Sequence, residues 1–194
     1  MPHISFSELK NWNFCPFYHK LVNLDKIKGF KGNEHTAFGT AVHTVCEKSL
    51  LKEIRPWERE GVFLKTFKSE LENLPSDVRE TLNEKLVDDM TAQGGPIMLE
   101  FDEALRDYFG EYEVIAVETQ LFEPIREFLG SEYDFKGYID AVFKTSDGKY
   151  HIVDWKTTSW GWDARRKSEP MTTYQLTLYK HYYAQKENID PNLI

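Results

Sequence analysis

The spacing of apolar residues along the chain changes near residue 110, from a period of three to four residues to a period of two. Before this point the spacing is that of amphipathic helices. It predicts a helix from Phe38 to about Ile54, ended by Pro56, and further helices through residues 57 to 109 with a break at Gly94-Gly95-Pro96. The first half of the chain is therefore expected to be helical.

Three segments after residue 110 alternate between apolar and polar residues, at 114 to 122, 133 to 144 and 149 to 158. They are rich in β-branched and aromatic side chains, which is typical of strands. A short turn rich in polar residues joins the second strand to the third, and a helix is predicted to start near Pro170. The chain is thus expected to have an α/β (α+β) fold, with a central mixed sheet flanked by helices.

The chain has 194 residues, of which 41% are hydrophobic, and this predicts one globular domain over residues 1 to 194. Within it, residues 1 to 56 are expected to form N-terminal helices and 57 to 110 a helical insertion. Residues 111 to 194 are expected to form the sheet and its last helix. A further strand is expected after Ile194, so the sequence is interpreted as ending short of a complete domain.

The turn between the second and third strands decides whether Asp140 and Asp154 lie on one face of the sheet. A two-residue turn, Asp147-Gly148, would set Asp140 opposite Trp155 and separate the carboxylates. A three-residue loop over residues 146 to 148, with Gly148 in the left-handed conformation, would set Asp140 opposite Asp154. The apolar pattern favours the second register, because it stacks these residues on the other face: Ile139, Ala141, Phe143, Val153 and Trp155.

Alternation along the third strand places Asp154 and Lys156 side by side on one face. Two adjacent carboxylates with a lysine suit Mg²⁺ or Mn²⁺, hard ions that prefer oxygen ligands. Such an ion lowers the pKa of a bound water and neutralises charge on a phosphate. Lys156 could orient or deprotonate the water, or stabilise the transition state.

The formal net charge of −8 argues against broad, non-specific adhesion to nucleic acid. Two local basic clusters remain as candidates for a DNA path, and they comprise Lys26, Lys28 and Lys31 in one and Arg165, Arg166 and Lys167 in the other. No apolar run is long enough for a membrane helix, and the N-terminus lacks a secretory signal. A cytoplasmic protein is expected, in a bacterial, archaeal or phage-infected cell.

Several motifs occur in order along the chain. They are Ser7-x-Leu9 with Cys15-Pro16, Phe38-Gly39-Thr-Ala-Val-His43, Gly137-Tyr-Ile-Asp140, Asp154-Trp-Lys156-Thr, and Gln175-xxx-Tyr179. In this order they resemble the RecB-type branch of the PD-(D/E)XK nucleases. The resemblance implies a restriction-endonuclease-like core, and it runs from about residue 5 to residue 183.

The resemblance also implies roles for individual residues. It implies that the metal ligands are Asp140, Asp154, His43, the Trp155 carbonyl and, as an additional acid, Glu118. It implies that Lys156 is the catalytic lysine and that Gln175 and Tyr179 position the DNA strand. On other grounds Glu118 could be a strand-edge charge, Gln175 and Tyr179 could pack the helix on the sheet, and the basic clusters could be solvated.

Three features depart from the family pattern. Ile139 stands where the superfamily name has proline, which leaves the ligands unchanged. The two cysteines, Cys15 and Cys46, cannot supply the four ligands of an iron-sulfur cluster, so no cluster is expected. A Walker motif is absent from the sequence, so a helicase or recombination partner would be a separate protein.

The expected function is metal-dependent hydrolysis of DNA, with an exonuclease acting on single strands or ends favoured over internal cutting. Two alternatives stay open. One is a catalytically silent DNA-binding or assembly module with the nuclease fold, and the other is a ribonuclease. The sequence gives no basis for predicting the oligomeric state.

Overall fold

The computed structural model describes residues 2–27, 29–126, 130, 132–158, 161, 163 and 167–194. The predicted DNA-path residues Lys28, Arg165 and Arg166 lie outside this set. Contacts divide the chain into two units: the first comprises Met1–Gly29, Glu118–Asp154 and Ser159–Ile194, and the second comprises Phe30–Val117 and Trp155–Thr158. The predicted single domain stays a prediction.

Most of the described helices lie before residue 110, and three of the four described strands lie after it. The strands are β1 (His3–Ser5), β2 (Tyr112–Pro124), β3 (Asp134–Thr145) and β4 (Tyr150–Val153). The α-helices are α1 (Phe6–Phe14), α2 (Pro16–His19), α3 (Glu34–Leu50), α4 (Arg59–Asn73), α5 (Ser76–Arg79), α6 (Glu84–Leu99), α7 (Phe101–Phe109) and α8 (Pro170–Glu187). A π-helix, Lys20–Leu24, and two 3₁₀ turns, Pro56–Glu58 and Pro191–Leu193, complete them. Among these described helices, none combines the length and the hydropathy needed to cross a bilayer.

Strand β3 is the centre of the sheet, whose described strands number four in the order β1-β3-β2 with β4 also paired to β3. β1 runs parallel to β3, and β4 runs antiparallel to it, so the predicted mixed sheet is confirmed. Residues 139 to 143 of β3 are all buried. The short strand β1 was not predicted, because three residues are too few to show an alternating pattern.

The hairpin of β3 and β4 has the predicted three-residue loop. Ala141 pairs with Val153, and the same register continued by one residue sets Asp140 opposite Asp154. Gly148 has a φ of 84°, and its N–H donates to the Thr145 carbonyl at 2.9 Å. This left-handed backbone favours glycine, so the loop length and the register are fixed by local sequence.

The third predicted strand ends earlier than expected. β4 stops at Val153 instead of residue 158, and Trp155–Thr158 belong to the second unit. There the Trp155 ring packs edge-on against Phe101, with ring centroids 5.7 Å apart. The strand expected through Asp154 and Lys156 therefore ends at Val153, and its end coincides with the packing of Trp155 on Phe101.

Helix α3 is shifted relative to the predicted span of 38 to 54. It begins at Glu34, because Asn33 and Thr36 exchange side-chain to backbone hydrogen bonds of 3.0 and 2.9 Å in a capping box. It ends at Leu50, where Lys52 takes a positive φ of 60° and the Glu53 N–H donates to the Lys48 carbonyl. Because no glycine marks this end, the stop is not visible in the sequence.

The second unit is centred on the rings of Phe38, Phe63 and Phe67, whose centroids lie 5.3 to 5.7 Å apart. Helix α6 runs through Gly94-Gly95-Pro96, so the predicted break there is wrong. Gly94 is buried against Phe63, and a Cβ at this position would overlap that ring. The glycine allows close helix packing here and does not end the helix.

We expect Gly94→Ala to lower the free energy of unfolding by about 1–3 kcal/mol, because the added methyl must displace the Phe63 ring. The matched control is Gly61→Ala in α4, where a Cβ would meet no described atom within 4 Å. That change should stabilise the protein by about 0.5–1 kcal/mol through helix propensity. Urea unfolding of both variants measures this; equal shifts would contradict the packing role.

Candidate active site

Asp140 is a buried carboxylate at the centre of the sheet. It lies on β3 between Ile139 and Ala141, which are both 0% exposed, and it is itself 8% exposed. A carboxylate oxygen of Glu118, on β2, lies within 4.8 Å of one on Asp140. Two carboxylates this close repel each other and suit a cation between them.

The backbone of β2 changes direction at Glu118. Its φ of 46° is in the left-handed region, which a residue other than glycine adopts at a cost of about 1–3 kcal/mol. The exposure along β2 alternates regularly up to Ala116 and changes phase between Ala116 and Val117. This phase change is typical of a bulge, a feature that re-aims side chains next to active sites.

Asp154 is held by a glutamine from helix α8. The Gln175 side-chain amide donates from Nε2 to Asp154 Oδ1 at 3.1 Å and to the Tyr179 hydroxyl at 3.0 Å. One amide therefore links the carboxylate to the tyrosine one helical turn further on. The sequence motif did not predict this contact between Gln175 and Asp154, because the two residues are far apart in the chain.

Tyr179 is 6% exposed and lies against the backbone of β3. A Cβ on Gly137 would be 2.8 Å from the Tyr179 ring, so the glycine of the Gly137-Tyr-Ile-Asp140 motif makes room for the tyrosine. Burial raises the pKa of Tyr179 above its usual value, and the hydrogen bond from Gln175 partly opposes this. The hydroxyl therefore stays neutral at physiological pH.

His43 and the carbonyl of Trp155 form a pair of candidate ligand atoms in the second unit. His43 lies on α3 and donates from Nε2 to the Trp155 oxygen at 2.9 Å. The 2.9 Å spacing is that of a hydrogen bond in which Nε2 carries the proton, and Nε2 can bind a metal ion only after it has lost that proton. The ligand roles of His43 and the Trp155 carbonyl therefore stay predictions.

The other predicted site residues are less enclosed. The Lys156 side chain is exposed, two residues after Asp154. Lys31 forms an exposed ion pair with Asp77, whose pKa is lowered mainly by the hydrogen bond from that lysine. These observations leave the predicted DNA contacts of the basic residues as predictions.

A comparison with protein-family models decides the family. The model of the PD-(D/E)XK nuclease superfamily matches residues 3–192. The chain belongs to this superfamily. The predicted superfamily and the restriction-endonuclease-like fold class are thereby confirmed, whereas the RecB-type branch and the expected lack of an iron-sulfur cluster stay predictions. A search of curated proteins found no match.

Membership of the PD-(D/E)XK superfamily implies a nucleic-acid substrate, hydrolysis, and a divalent metal ion. The oxygen donors of Asp140 and Glu118 have the chemistry that such an ion needs. Two features of this nuclease fold were not visible in the sequence. They are the left-handed backbone of Glu118 and the hydrogen bond from Gln175, and both depend on contacts or geometry outside any local pattern.

We expect Gln175→Ala to lower the initial rate of metal-dependent cleavage by about 10-fold, because partners that orient a ligand contribute this much. The fold should be retained, since Tyr179 keeps its contact with Gly137. Gln185→Ala on the same helix is the control, because Gln185 donates only to the exposed Pro124 carbonyl at 3.3 Å. Wild-type rates for both variants would contradict a positioning role for Gln175.

Proposed function

We propose that this PD-(D/E)XK nuclease hydrolyses DNA phosphodiester bonds with Mg²⁺ or Mn²⁺ and acts as an exonuclease on single strands or DNA ends. The observation that carries the proposal is the pair of carboxylates of Asp140 and Glu118, whose oxygens lie within 4.8 Å of each other. The β3–β4 register, continued by one residue beyond Val153, supports adding Asp154 to this pair. Glu118 is on β2, Asp140 is on β3 and Asp154 follows β4. Carboxylate oxygens of this kind are the ligands that Mg²⁺ and Mn²⁺ prefer.

The proposed ligands in the first unit are Asp140, Asp154 and Glu118. For His43 and the Trp155 carbonyl we propose the ligand role that the family resemblance implies, and this role requires Nε2 of His43 to lose the proton that it donates to the Trp155 oxygen. When bound, the divalent ion lowers the pKa of a water and neutralises charge that develops on the phosphate. The buried position of Asp140 favours this, because a cation offsets the cost of an ionised carboxylate inside the protein.

Lys156 is the proposed catalytic lysine. Its position in the Asp154-Trp-Lys156 triplet brings an ammonium group within two residues of a proposed ligand. In the charged form it donates hydrogen bonds to the attacking water or to a phosphate oxygen, which aligns in-line attack and stabilises the transition state. In the neutral form it would accept a proton from the water.

Gln175 has a positioning role in this proposal. Its amide donates to Oδ1 of Asp154 and thereby fixes the orientation of this carboxylate. The neutral hydroxyl of Tyr179 accepts from the same amide and keeps it in one orientation. Contact of Gln175 and Tyr179 with the DNA strand is a further part of the proposal.

A preference for single strands or ends is supported by charge. The net charge of −8 disfavours long electrostatic contacts along a duplex, so binding would depend on a local site. A separate helicase or recombination protein would then supply the unwound strand. We also propose a cytoplasmic location, where such partners and DNA are present.

We expect Asp154→Ala to reduce cleavage of single-stranded DNA at least about a hundredfold and chelation by EDTA to abolish it, because both remove charge stabilisation at the phosphate. The control is Asp88→Asn, which removes an exposed carboxylate on α6. This variant should cleave at the wild-type rate. Digestion of end-labelled DNA and RNA oligonucleotides, linear and circular, provides the measurement.

Equal activity of the wild type and Asp154→Ala, or activity that persists in EDTA, would overturn the nuclease assignment to this site. Cleavage of RNA with DNA left intact would instead establish a ribonuclease. Cutting of circular strands at the rate of linear ones would contradict exonuclease action.

A further inference from the structure

A cleft of about 330 Å³ lies in the first unit, between the start of the chain, β3 and helix α8. Its described lining contains hydroxyl, amide, aromatic and ammonium groups and does not include a carboxylate. The chain has 32 acidic and 24 basic residues, so a cleft that is lined by a lysine and no carboxylate differs from the acidic character of the chain as a whole. It favours an anionic ligand over a cation or a purely apolar one.

One wall of the cleft consists of Gln175 and Tyr179. The Gln175 amide that lines it also donates to Asp154 at 3.1 Å. The cleft is therefore separated from a proposed metal ligand by a single side chain. Under the proposed function, a molecule in it would therefore lie close to the bond that is cut.

The opposite wall carries the positive charge. Strand β1 runs parallel to β3 with Ser5 paired to Lys136, so a serine and a lysine stand side by side at this wall. Ser7 follows, with its hydroxyl 2.9 Å from that of Ser5. Ser5 accepts the Glu8 N–H at 3.2 Å as the cap of α1, whereas Ser7 is exposed, so the Ser7 hydroxyl and the Lys136 ammonium are the donors at this wall that suit a phosphate.

An aromatic surface completes the cleft. Tyr138 lines it and is 47% exposed, so one face of its ring is accessible. The Lys136 ammonium lies 6.0 Å from the centre of this ring. A cation next to an exposed aromatic ring is the combination that binds a nucleotide, with the phosphate on the cation and the base stacked on the ring.

We propose that this cleft binds one unpaired nucleotide adjacent to the scissile bond, with its phosphate on Lys136 and Ser7 and its base against Tyr138. The volume is at the lower end of the range for ligand pockets, which suits one nucleotide and excludes a base pair. The inference rests on the proposed nuclease function and adds to it the reason for single-strand selectivity.

The test compares Lys136→Ala with Lys144→Ala. Lys144 is on the same strand and also lies over a tyrosine ring, at 4.9 Å from Tyr150, but does not line the cleft. For single-stranded DNA we expect the KM of Lys136→Ala to rise about 10-fold, as for loss of a charged hydrogen bond. The slope of log KM against log salt should fall by about 0.7. Lys136→Arg should retain most of the wild-type affinity.

A second variant covers the case in which Lys136→Ala is unstable. Ser7 is exposed, so Ser7→Ala keeps the fold and should raise KM about 3-fold by removing one donor. Binding of a deoxynucleoside monophosphate, followed by calorimetry, should weaken in the same order across these variants. This measurement does not depend on cleavage, so it tests the cleft even if Asp154→Ala shows that the nuclease assignment is wrong.

Different substrates separate the two sources of the phosphate. If strands with a terminal phosphate are cut faster than hydroxyl-ended strands, and Lys136→Ala removes that difference, the cleft binds the strand end. If Lys136→Ala raises the KM of both strands equally, it binds an internal phosphodiester. The proposal is overturned if Lys136→Ala and Lys144→Ala have the same KM, salt slope and affinity for the monophosphate.

Discussion

The antiparallel pairing of β3 with β4 is the constraint on which the site depends. The left-handed backbone of Gly148 closes a three-residue loop, and this loop length sets Ala141 opposite Val153. A loop one residue shorter would turn the carboxylates of Asp140 and Asp154 to opposite faces, since side chains alternate along a strand. A single turn therefore decides whether two acids can act together.

The buried carboxylate of Asp140 is the reason why this arrangement suits a metal ion. Asp140 is 8% exposed and has the carboxylate of Glu118 as a neighbour, and two carboxylates this close repel each other when both are ionised. A divalent cation bound by both carboxylates would replace this repulsion with attraction to the ion. The strained backbone of Glu118 is consistent with this, because such conformations persist where the surrounding structure and the function require them.

Local chemistry explains what could be predicted from the sequence. The hairpin was predictable because its turn residues and its apolar alternation lie within twenty residues of each other. The motifs around His43, Asp140 and Asp154 are each short and local, and their order along the chain carried the resemblance to the superfamily. Strands β2, β3 and β4 followed from three segments of clear alternation, whereas the parallel strand β1, which makes the sheet mixed, is too short to show one.

Non-local contacts explain what could not be predicted. The end of β4 at Val153 coincides with the packing of Trp155 against Phe101, and Gly94 lies inside α6 where the helix packs closely on Phe63. The hydrogen bond from Gln175 to Asp154 joins residues 21 positions apart. Each of these features arises only when distant segments meet, so a local pattern carries no signal for it.

A calorimetric titration with Mn²⁺, which requires no substrate, tests the metal site at Asp140. We expect the wild-type protein to bind the ion and Asp140→Asn, which keeps the size of the side chain and removes its charge, to weaken binding by at least about 10-fold. Equal affinity in the two proteins would mean that the β3–β4 hairpin does not build a metal site at Asp140.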